Sequence, residues 1–337
     1  MEKNLRFIIF IFIVQIAIIL LSSCVEADTP NAKKNLQDQN LKGKDLNDKK
    51  EQKQINESKS FYYVAMGDSI LIDKYAGNEN CECGGASLFF KNKNLLFPSY
   101  KNKDLLSIIP NAKKIILAQD SAKIDDLFLQ FTQLKQLKIT PNLITVSIGG
   151  NDIVEILRSK SLLQSDKSHI LNMLDEFSKK ITAISMKLNE LKKINNELII
   201  MILNVYDPTD GLGYDFTSNK SNSFLDHKHK SQIYHIFYKF NEELMKISTI
   251  NDYILIDIHS HFLGHGIFHN NRRNNPFYVN GKYWYHSNII IDINQSGAHE
   301  LRKLLYYEFQ KNYIKQKTKS PEPKNNKPNN PNKTLYY

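Results

Sequence analysis

The sequence predicts one α/β domain built of three layers, α/β/α, in which helices cover both faces of a mostly parallel five-stranded sheet. Short apolar, β-branched runs alternate along the chain with amphipathic helical segments, which is the pattern of repeated strand–helix units. The apolar runs show little polar alternation, as expected of parallel strands that are buried on both faces. Between two polar ends lie about 255 residues, which is enough for one such domain.

The predicted elements follow the chain in alternating order. Five apolar runs are predicted as strands: 61–67, 114–117, 143–148, 198–203 and 253–258. Amphipathic periodicity predicts four helices: about 125–137, 168–194, 230–248 and 296–311. A long irregular insertion at 73–110 and a loop at 209–229 are the segments expected to shape a substrate pocket, because such loops commonly build lids and sites.

The amino-terminal segment is predicted to be a signal peptide spanning residues 1–23. Lys3 and Arg6 precede an apolar stretch that is too short for a typical membrane span and that ends in small residues. The sequence Leu-Ser-Ser-Cys at 21–24 also resembles a bacterial lipobox, which implies a lipid on Cys24 after cleavage. An ordinary cysteine beside an ordinary cleavage site is the alternative. Lipidation would anchor the protein to a membrane of the bacterial cell envelope, on the periplasmic side or at the surface.

Two polar segments flank the predicted domain, which spans residues 61–314. Residues 24–60 and 315–337 are rich in Lys, Asn, Asp, Gln or Pro and poor in large apolar side chains, so both are expected to be disordered. The first is predicted to be a tether and the second a basic tail. The formal net charge of +10 comes partly from this tail. Nucleic acid is therefore not expected as a partner of the domain.

Two strand ends carry the residues that point to chemistry. Phe-Tyr-Tyr-Val-Ala-Met-Gly-Asp-Ser at 61–69 delivers the Ser69 hydroxyl, and Ile-Thr-Val-Ser-Ile-Gly-Gly-Asn-Asp at 144–152 delivers the Asn151 amide. The carboxyl ends of parallel strands are where such sheets hold their sites. A serine nucleophile requires a base and a donor for the oxyanion, and Asn151 is suited to be that donor. The alternative for Ser69 is a helix N-cap.

This pair of motifs resembles the SGNH/GDSL family of serine hydrolases, in which Gly-Asp-Ser holds the nucleophile and Gly-x-Asn-Asp holds an oxyanion-hole amide. The resemblance implies the three-layer SGNH-hydrolase (flavodoxin-like) fold, esterase activity through Ser69, and an oxyanion hole formed by Asn151 with the backbone N–H groups of Ser69 and Ser121. The family usually has glycine where this chain has Ser121, so glycine-like backbone angles there would carry a conformational cost. No cofactor and no metal are implied.

The carboxyl-terminal block departs from the family pattern Asp-x-x-His-Pro-Asn-x-x-Gly. Alignment of Asn294 and Gly297 with that pattern places Ile289 at the catalytic aspartate and Asp292 at the catalytic histidine. Both members of the usual dyad are therefore absent. The chain is similar to a branch of the family that has an acidic residue at the histidine position, together with stretches like Asp-Ile-His…Phe-Leu-Gly-His-Gly and Tyr-Asp-Pro-Thr-Asp-Gly.

Two functional classes are compatible with this departure. In the first, the protein is an active, lipid-anchored ester hydrolase whose base is His265 or His261, oriented by Asp292, and whose substrate is a small acyl ester or an acylated glycan or lipid. In the second, hydrolysis is lost and the fold serves as a binding or structural surface protein. The spacing of the histidines at 259, 261, 265 and 269 also permits a metal site, but Gly264 and Gly266 argue against the regular helix that it would need.

Overall fold

The computed structural model describes residues 60–77, 81–158, 167–213, 227–279, 281–287 and 291–319. The predicted signal peptide, the predicted lipidation site Cys24, the tether up to residue 59 and the tail beyond residue 319 lie outside this range, as does Ile289. No helix within the described part of the chain is both long enough and apolar enough to cross a membrane.

The predicted parallel sheet is confirmed. Its strands are β1 (Phe61–Gly67), β2 (Ala112–Ile116), β3 (Leu143–Ser147), β4 (Ile199–Leu203) and β5 (Ile254–Ile256). They pair in the order β2-β1-β3-β4-β5, and all four pairings are parallel. The chain therefore reverses its direction of travel across the sheet at β1 and β3. In open α/β sheets ligands bind beyond the carboxyl ends of the strands at such a reversal.

Helices cover both faces of the sheet and make the three-layer architecture. They are α1 (Gly85–Phe90), α2 (Leu105–Ile108), α3 (Asp126–Gln136), α4 (Gly150–Arg158), α5 (Lys167–Ile194), α6 (His227–Ile250), α7 (Ile258–Phe262) and α8 (Gln295–Lys319). Successive side chains of a strand point to opposite faces. Accordingly, Tyr63 and Ala65 of β1 join a core with α1 and α8, whereas Val64 and Met66 join a second core with α3, α5 and α6.

The structure differs from the sequence prediction mainly in helices that begin at glycines. Two of them are α1, which begins at Gly85 inside the segment 73–110 predicted to be irregular, and α4, which begins at Gly150 where no helix was predicted. The apolar run predicted as strand at 253–258 ends at Ile256, because Asp257 caps α7 by accepting a hydrogen bond from the backbone N–H of Ser260. At the other end of the domain, α8 continues to Lys319, beyond the boundary predicted at residue 314.

Candidate active site

The two strands that carry the motifs, β1 and β3, lie side by side, and their backbones approach each other closely at Gly67. This residue has φ = 117°, and a Cβ atom there would lie 1.7 Å from the carbonyl oxygen of Ser147 at the end of β3. A side chain at this position is therefore sterically excluded. The buried Gln130 of α3 completes the junction, since its amide accepts from the Gly67 N–H at 2.6 Å and donates to the Gly67 carbonyl at 2.9 Å.

Asp68 fixes the turn that follows β1. Its backbone N–H donates to the Ser147 carbonyl at 2.9 Å, and its carboxylate accepts from the Ser147 hydroxyl at 2.9 Å and from the Ile70 N–H at 3.3 Å. Burial raises the pKa of Asp68 to about 7, although these hydrogen bonds oppose the shift. The carboxyl of the Gly-Asp-Ser motif is therefore a buried structural group that ties the strand carrying Ser69 to its neighbour.

Ser69 begins a 3₁₀ turn, Ser69–Leu71, and its side chain lies close enough to the carboxylate of Asp292 to lower the pKa of that carboxyl. Asp292 is almost fully buried, and its Oδ1 has no hydrogen-bond partner among the described residues. Burial raises the pKa of Asp292, and the neighbouring Ser69 side chain partly opposes this rise. A poorly solvated carboxylate beside a serine hydroxyl is a proton acceptor next to a potential nucleophile.

The segment that carries Asp292 is held from two sides. Tyr206 follows β4, and its hydroxyl donates to the carbonyl of Ile291. On the other side, the backbone N–H of His286 donates to the carbonyl of Asp292 at 2.8 Å, next to an antiparallel bridge between Tyr285 and Ile293. These contacts fix the backbone immediately before, at and after Asp292, and so determine where its side chain meets Ser69.

The two histidines predicted as bases have other partners. The His261 Nε2 lies 3.2 Å from the Glu300 carboxylate on α8. The ring of His265 is buried against Trp284, with ring centroids 3.4 Å apart, and its Nδ1 lies 2.8 Å from the carbonyl of Lys282. Burial also lowers the pKa of His265. The predicted relay from Asp292 to one of these imidazoles is therefore not formed, and Asp292 instead lies beside Ser69.

The same contacts separate the histidines that were considered as metal ligands. His259 and His269 bond to the backbone carbonyls of Val205 and Gly266, respectively. Within the described ranges no group of three or more His, Cys, Asp or Glu side chains is arranged to hold a metal ion.

The two residues predicted for the oxyanion hole, Asn151 and Ser121, both lie beside the serine motif, but they differ in how well their geometry suits this role. One N–H of the Asn151 amide donates to the carbonyl of Ala122 at 2.9 Å. Because a primary amide has two N–H donors, this bond orients the side chain and leaves the second donor for another acceptor. Ser121 has φ = 61°, the left-handed region that favours glycine, so its backbone carries the expected cost. Its N–H is close enough to the carboxylate of Asp120 to lower the pKa of that carboxyl.

Charged and aromatic groups form a rim beside the Ser69–Asp292 pair. The Asp120 carboxylate accepts hydrogen bonds from the Lys74 ammonium at 2.5 Å and from the Tyr75 hydroxyl at 2.9 Å. The Tyr75 ring in turn contacts the ring of His286 edge-on, with centroids 5.9 Å apart. Electrostatically, the negative charge of Asp120 raises the pKa of Asp292, whereas His286 and Lys74 lower it. The rim therefore modulates the basicity of the carboxylate that contacts Ser69.

A narrow apolar cleft of about 40 Å³ opens at Ser69 and Asn151. Beyond these two residues its walls are largely aliphatic and aromatic side chains from α4, α6, α7 and the end of β4; they include Val154, Leu157, Val205, Phe237 and Ile258. The cleft thus joins polar groups around Ser69, where a carbonyl group could meet the serine, to a mainly apolar slot whose lining also includes the carboxyl of Asp68.

The sequence profile of the GDSL-like lipase/acylhydrolase family matches residues 63–284. This match covers more than half of the chain and includes Ser69 and Asn151. The chain belongs to the GDSL lipase/acylhydrolase family. The match ends before Asp292. The carboxyl-terminal block, which departs from the family pattern, therefore lies outside the match, and this block carries the carboxylate that lies beside Ser69.

Several solved structures are similar to this GDSL family member. A phospholipase A1 from Streptomyces albidoflavus NA297 is 17% identical with a TM-score of 0.47, and the alignment covers 74% of this chain and 98% of that one. A lipase from a goat rumen metagenome is 15% identical with a TM-score of 0.47, at 74% and 97% coverage. An extracellular lipase from Streptomyces rimosus is 17% identical with a TM-score of 0.43, at 74% and 99% coverage. No curated protein sequence matches the chain.

Three residues that position this GDSL site were not identified as site residues from the sequence, although Ser147 and Tyr206 lie within stretches that carry the family resemblance. Gln130, Ser147 and Tyr206 each make a hydrogen bond to a residue more than 60 positions away, and these bonds fix Gly67, Asp68 and Ile291. Their partners are determined by how the strands and loops pack, which local patterns do not encode. Asp292 did have a signal, because its alignment with the family histidine already placed it opposite the nucleophile.

Proposed function

We propose that the protein is a serine ester hydrolase in which Asp292 replaces the family histidine as the base. The observation that supports this proposal is that the buried Asp292 carboxylate lies beside the Ser69 side chain, at the position of the family histidine. General bases act within hydrogen-bond reach of the proton that they remove, and burial brings the carboxylate pKa closer to neutral pH, where a base is most effective.

The proposed reaction has two acyl-transfer steps. Ser69 Oγ attacks the ester carbonyl carbon while its proton passes to Asp292, and the intermediate then collapses as Asp292 protonates the departing alcohol. Water attacks the resulting acyl-enzyme with Asp292 as base, which releases the carboxylic acid and restores the Ser69 hydroxyl. The oxyanion is stabilised by the free N–H of Asn151 and the backbone N–H of Ser69. The N–H of Ser121 is the third donor that the family resemblance implies.

The cleft supports an aliphatic acyl group as the part of the substrate that is bound. Its walls are mostly apolar side chains, with Asp68 as the acidic residue among them, and burial of each CH₂ group contributes about 0.8 kcal/mol. Lipids and acylated glycans with short or medium acyl chains are therefore the favoured substrates. The cleft does not contact the alcohol portion of the ester, so it does not discriminate between these two classes.

The location that we propose is the bacterial cell envelope, with the domain anchored through a lipid on Cys24. The basic and apolar start of the sequence and the lipobox-like residues before Cys24 support this proposal. The disulfide between Cys81 and Cys83 is consistent with it, since disulfides persist mainly in oxidising compartments outside the cytosol.

A second function, ligand binding without turnover, is favoured by two observations. A carboxylate, that of Asp292, lies beside Ser69 in place of the imidazole that the family uses, and Ser121 has a left-handed backbone (φ = 61°) where the family usually has glycine. A protein with these features could hold an acylated ligand in the cleft and release it unchanged.

Hydrolysis of p-nitrophenyl esters with acyl chains of two to twelve carbons tests the choice between these functions. The full chain is compared with Ser69→Ala and with the control Ser99→Ala, an exposed serine in another loop. The hydrolase proposal predicts turnover by the wild type and by Ser99→Ala, and its loss in Ser69→Ala. Equal rates in all three proteins would refute it, and saturable binding of the acyl product without any turnover would establish the second function.

A further inference from the structure

The loop that joins α1 to α2, residues 91–103, exposes two neighbouring leucines. Leu95 is 100% exposed and Leu96 is 48% exposed. They follow Lys93 and Asn94 in a turn in which the N–H groups of Leu96 and Phe97 donate to the Lys93 carbonyl at 2.9 Å. A single exposed apolar residue is common on protein surfaces, but an adjacent pair at the tip of an ordered turn is the arrangement expected of a contact site.

Buried Arg302 on α8 holds the two ends of this loop. Its guanidinium donates to the Asn92 side-chain oxygen at 2.8 Å and to the Lys103 carbonyl at 3.1 Å. The same group lies under the Tyr100 ring, 4.3 Å from the ring centroid. Asn92 in turn donates to the carbonyl of Phe97 at 3.1 Å. The leucines are therefore presented by a loop whose base is fixed, and an exposed conformation of this kind needs little ordering when it meets a partner.

Aromatic stacking fixes the side of the loop that follows the leucines. The Phe97 ring lies parallel to the His299 ring of α8, with centroids 4.1 Å apart and an interplanar angle of 5°. Phe97 thus packs inward against the domain, whereas Leu95 and Leu96 point away from it into solvent. The apolar tip is consequently separate from the core that stabilises the loop.

The positive charge of the loop indicates that its partner carries negative charge. Residues 91–103 contain Lys91, Lys93, Lys101 and Lys103, and their single acidic neighbour in sequence, Asp104, is buried and bonds to the loop backbone. Lys93 pairs with Glu82 at 3.1 Å. Basic side chains around an apolar tip match an anionic lipid surface, in which the tip enters the acyl boundary and the lysines meet the head groups.

We propose that the 91–103 loop docks the domain onto an anionic lipid bilayer, with Leu95 and Leu96 inserted below the head groups. A bilayer accepts an aliphatic tip without a shaped pocket, which suits two leucines that project from a fixed turn. The docking surface contains none of the residues proposed for catalysis, so this inference stands independently of the proposed hydrolysis. Docking would hold the domain in one orientation relative to the membrane.

Quenching of a tryptophan by brominated acyl chains tests the insertion. Full-length Leu95→Trp is compared with full-length Leu129→Trp, which carries the probe at a 63% exposed leucine on α3, a helix that packs on the other face of the sheet. The single native tryptophan, Trp284, is buried and gives the same background in both variants. Because both proteins have the same amino terminus, any contribution of that segment to vesicle binding is also the same.

On vesicles with 30% phosphatidylglycerol, the inference predicts strong quenching of the Leu95→Trp probe and background quenching of the Leu129→Trp probe. Adding Lys91→Ala and Lys101→Ala to Leu95→Trp should lower the ratio of inserted to free loop about fivefold for each lysine removed. Equal quenching of the two probes would overturn the inference. Equal quenching on neutral and anionic vesicles would also overturn it. A protein that shows no quenching but self-associates with increasing concentration would overturn it as well.

Discussion

Replacement of Asp292 by asparagine separates the catalytic role of this carboxylate from its structural cost. The amide has the same shape and can still lie beside Ser69, but it cannot take up the serine proton. Loss of a general base typically lowers the rate 10²- to 10⁴-fold, which is about 3–5 kcal/mol of transition-state stabilisation. We therefore expect kcat/KM for a short p-nitrophenyl ester to fall by at least about a hundredfold in Asp292→Asn.

The same substitution should make the fold more stable at pH 8. Asp292 is buried, its Oδ1 has no hydrogen-bond partner within the described part of the chain, and burial raises its pKa, so the ionised form is costly to keep in the folded state. A neutral amide should recover about 1 kcal/mol, or about 2–4 °C in Tm for a domain of this size. The assays are steady-state kinetics and thermal unfolding on the same preparation. Activity within threefold of the wild type would refute the assignment of Asp292 as base, and a lower Tm would show that the carboxylate stabilises the fold.

Three further outcomes are expected. Asp120→Asn removes a negative charge that raises the pKa of Asp292. The acid limb of the kcat–pH profile should therefore move to lower pH. A shift of this limb to higher pH would contradict the electrostatic coupling between the two carboxylates. Burial raises the pKa of Asp68 from 3.8 to about 7, so the folded state holds this proton more tightly than the unfolded state, and stability should fall by up to about 4 kcal/mol as the pH rises from 4 to 7. Urea unfolding across this pH range should show a smaller loss in Asp68→Asn than in the wild type, and a loss remains because burial also raises the pKa values of Asp152 and Asp210 to about 6. Val154→Phe narrows the apolar cleft and should shift the ester chain-length optimum towards shorter acyl groups, whereas an unchanged optimum would place the acyl group elsewhere.

The sequence predicted the sheet and the position of its site because both depend on local patterns. The apolar runs that end at Ser69 and near Asn151 mark two buried strands, and the structure pairs these strands directly through Ala65 and Thr145. The helices at Gly85 and Gly150 were missed, because a glycine pair is a turn signal in isolation and the helices are stabilised by packing on α8 and α6.

The identity of the base depends on contacts between distant residues, which local sequence patterns do not encode. His265 follows a strand at the correct edge of the sheet, so sequence order made it a plausible partner for Ser69. Its ring instead packs on Trp284, nineteen residues later, and this contact depends on the path of the whole loop between them. Tyr206 and the backbone of His286, which hold the Asp292 segment in place, act through contacts of the same non-local kind.

Labelling of the purified full-length protein with a fluorophosphonate probe tests the central claim that Asp292 activates Ser69. The account predicts that the wild type is labelled at Ser69, that Ser69→Ala is not labelled, that Asp292→Asn is labelled at least about a hundredfold more slowly, and that His261→Gln is labelled at the wild-type rate. Absence of labelling in folded wild-type protein would contradict the claim. Rapid labelling of Asp292→Asn together with loss of labelling in His261→Gln would return the role of base to the histidine.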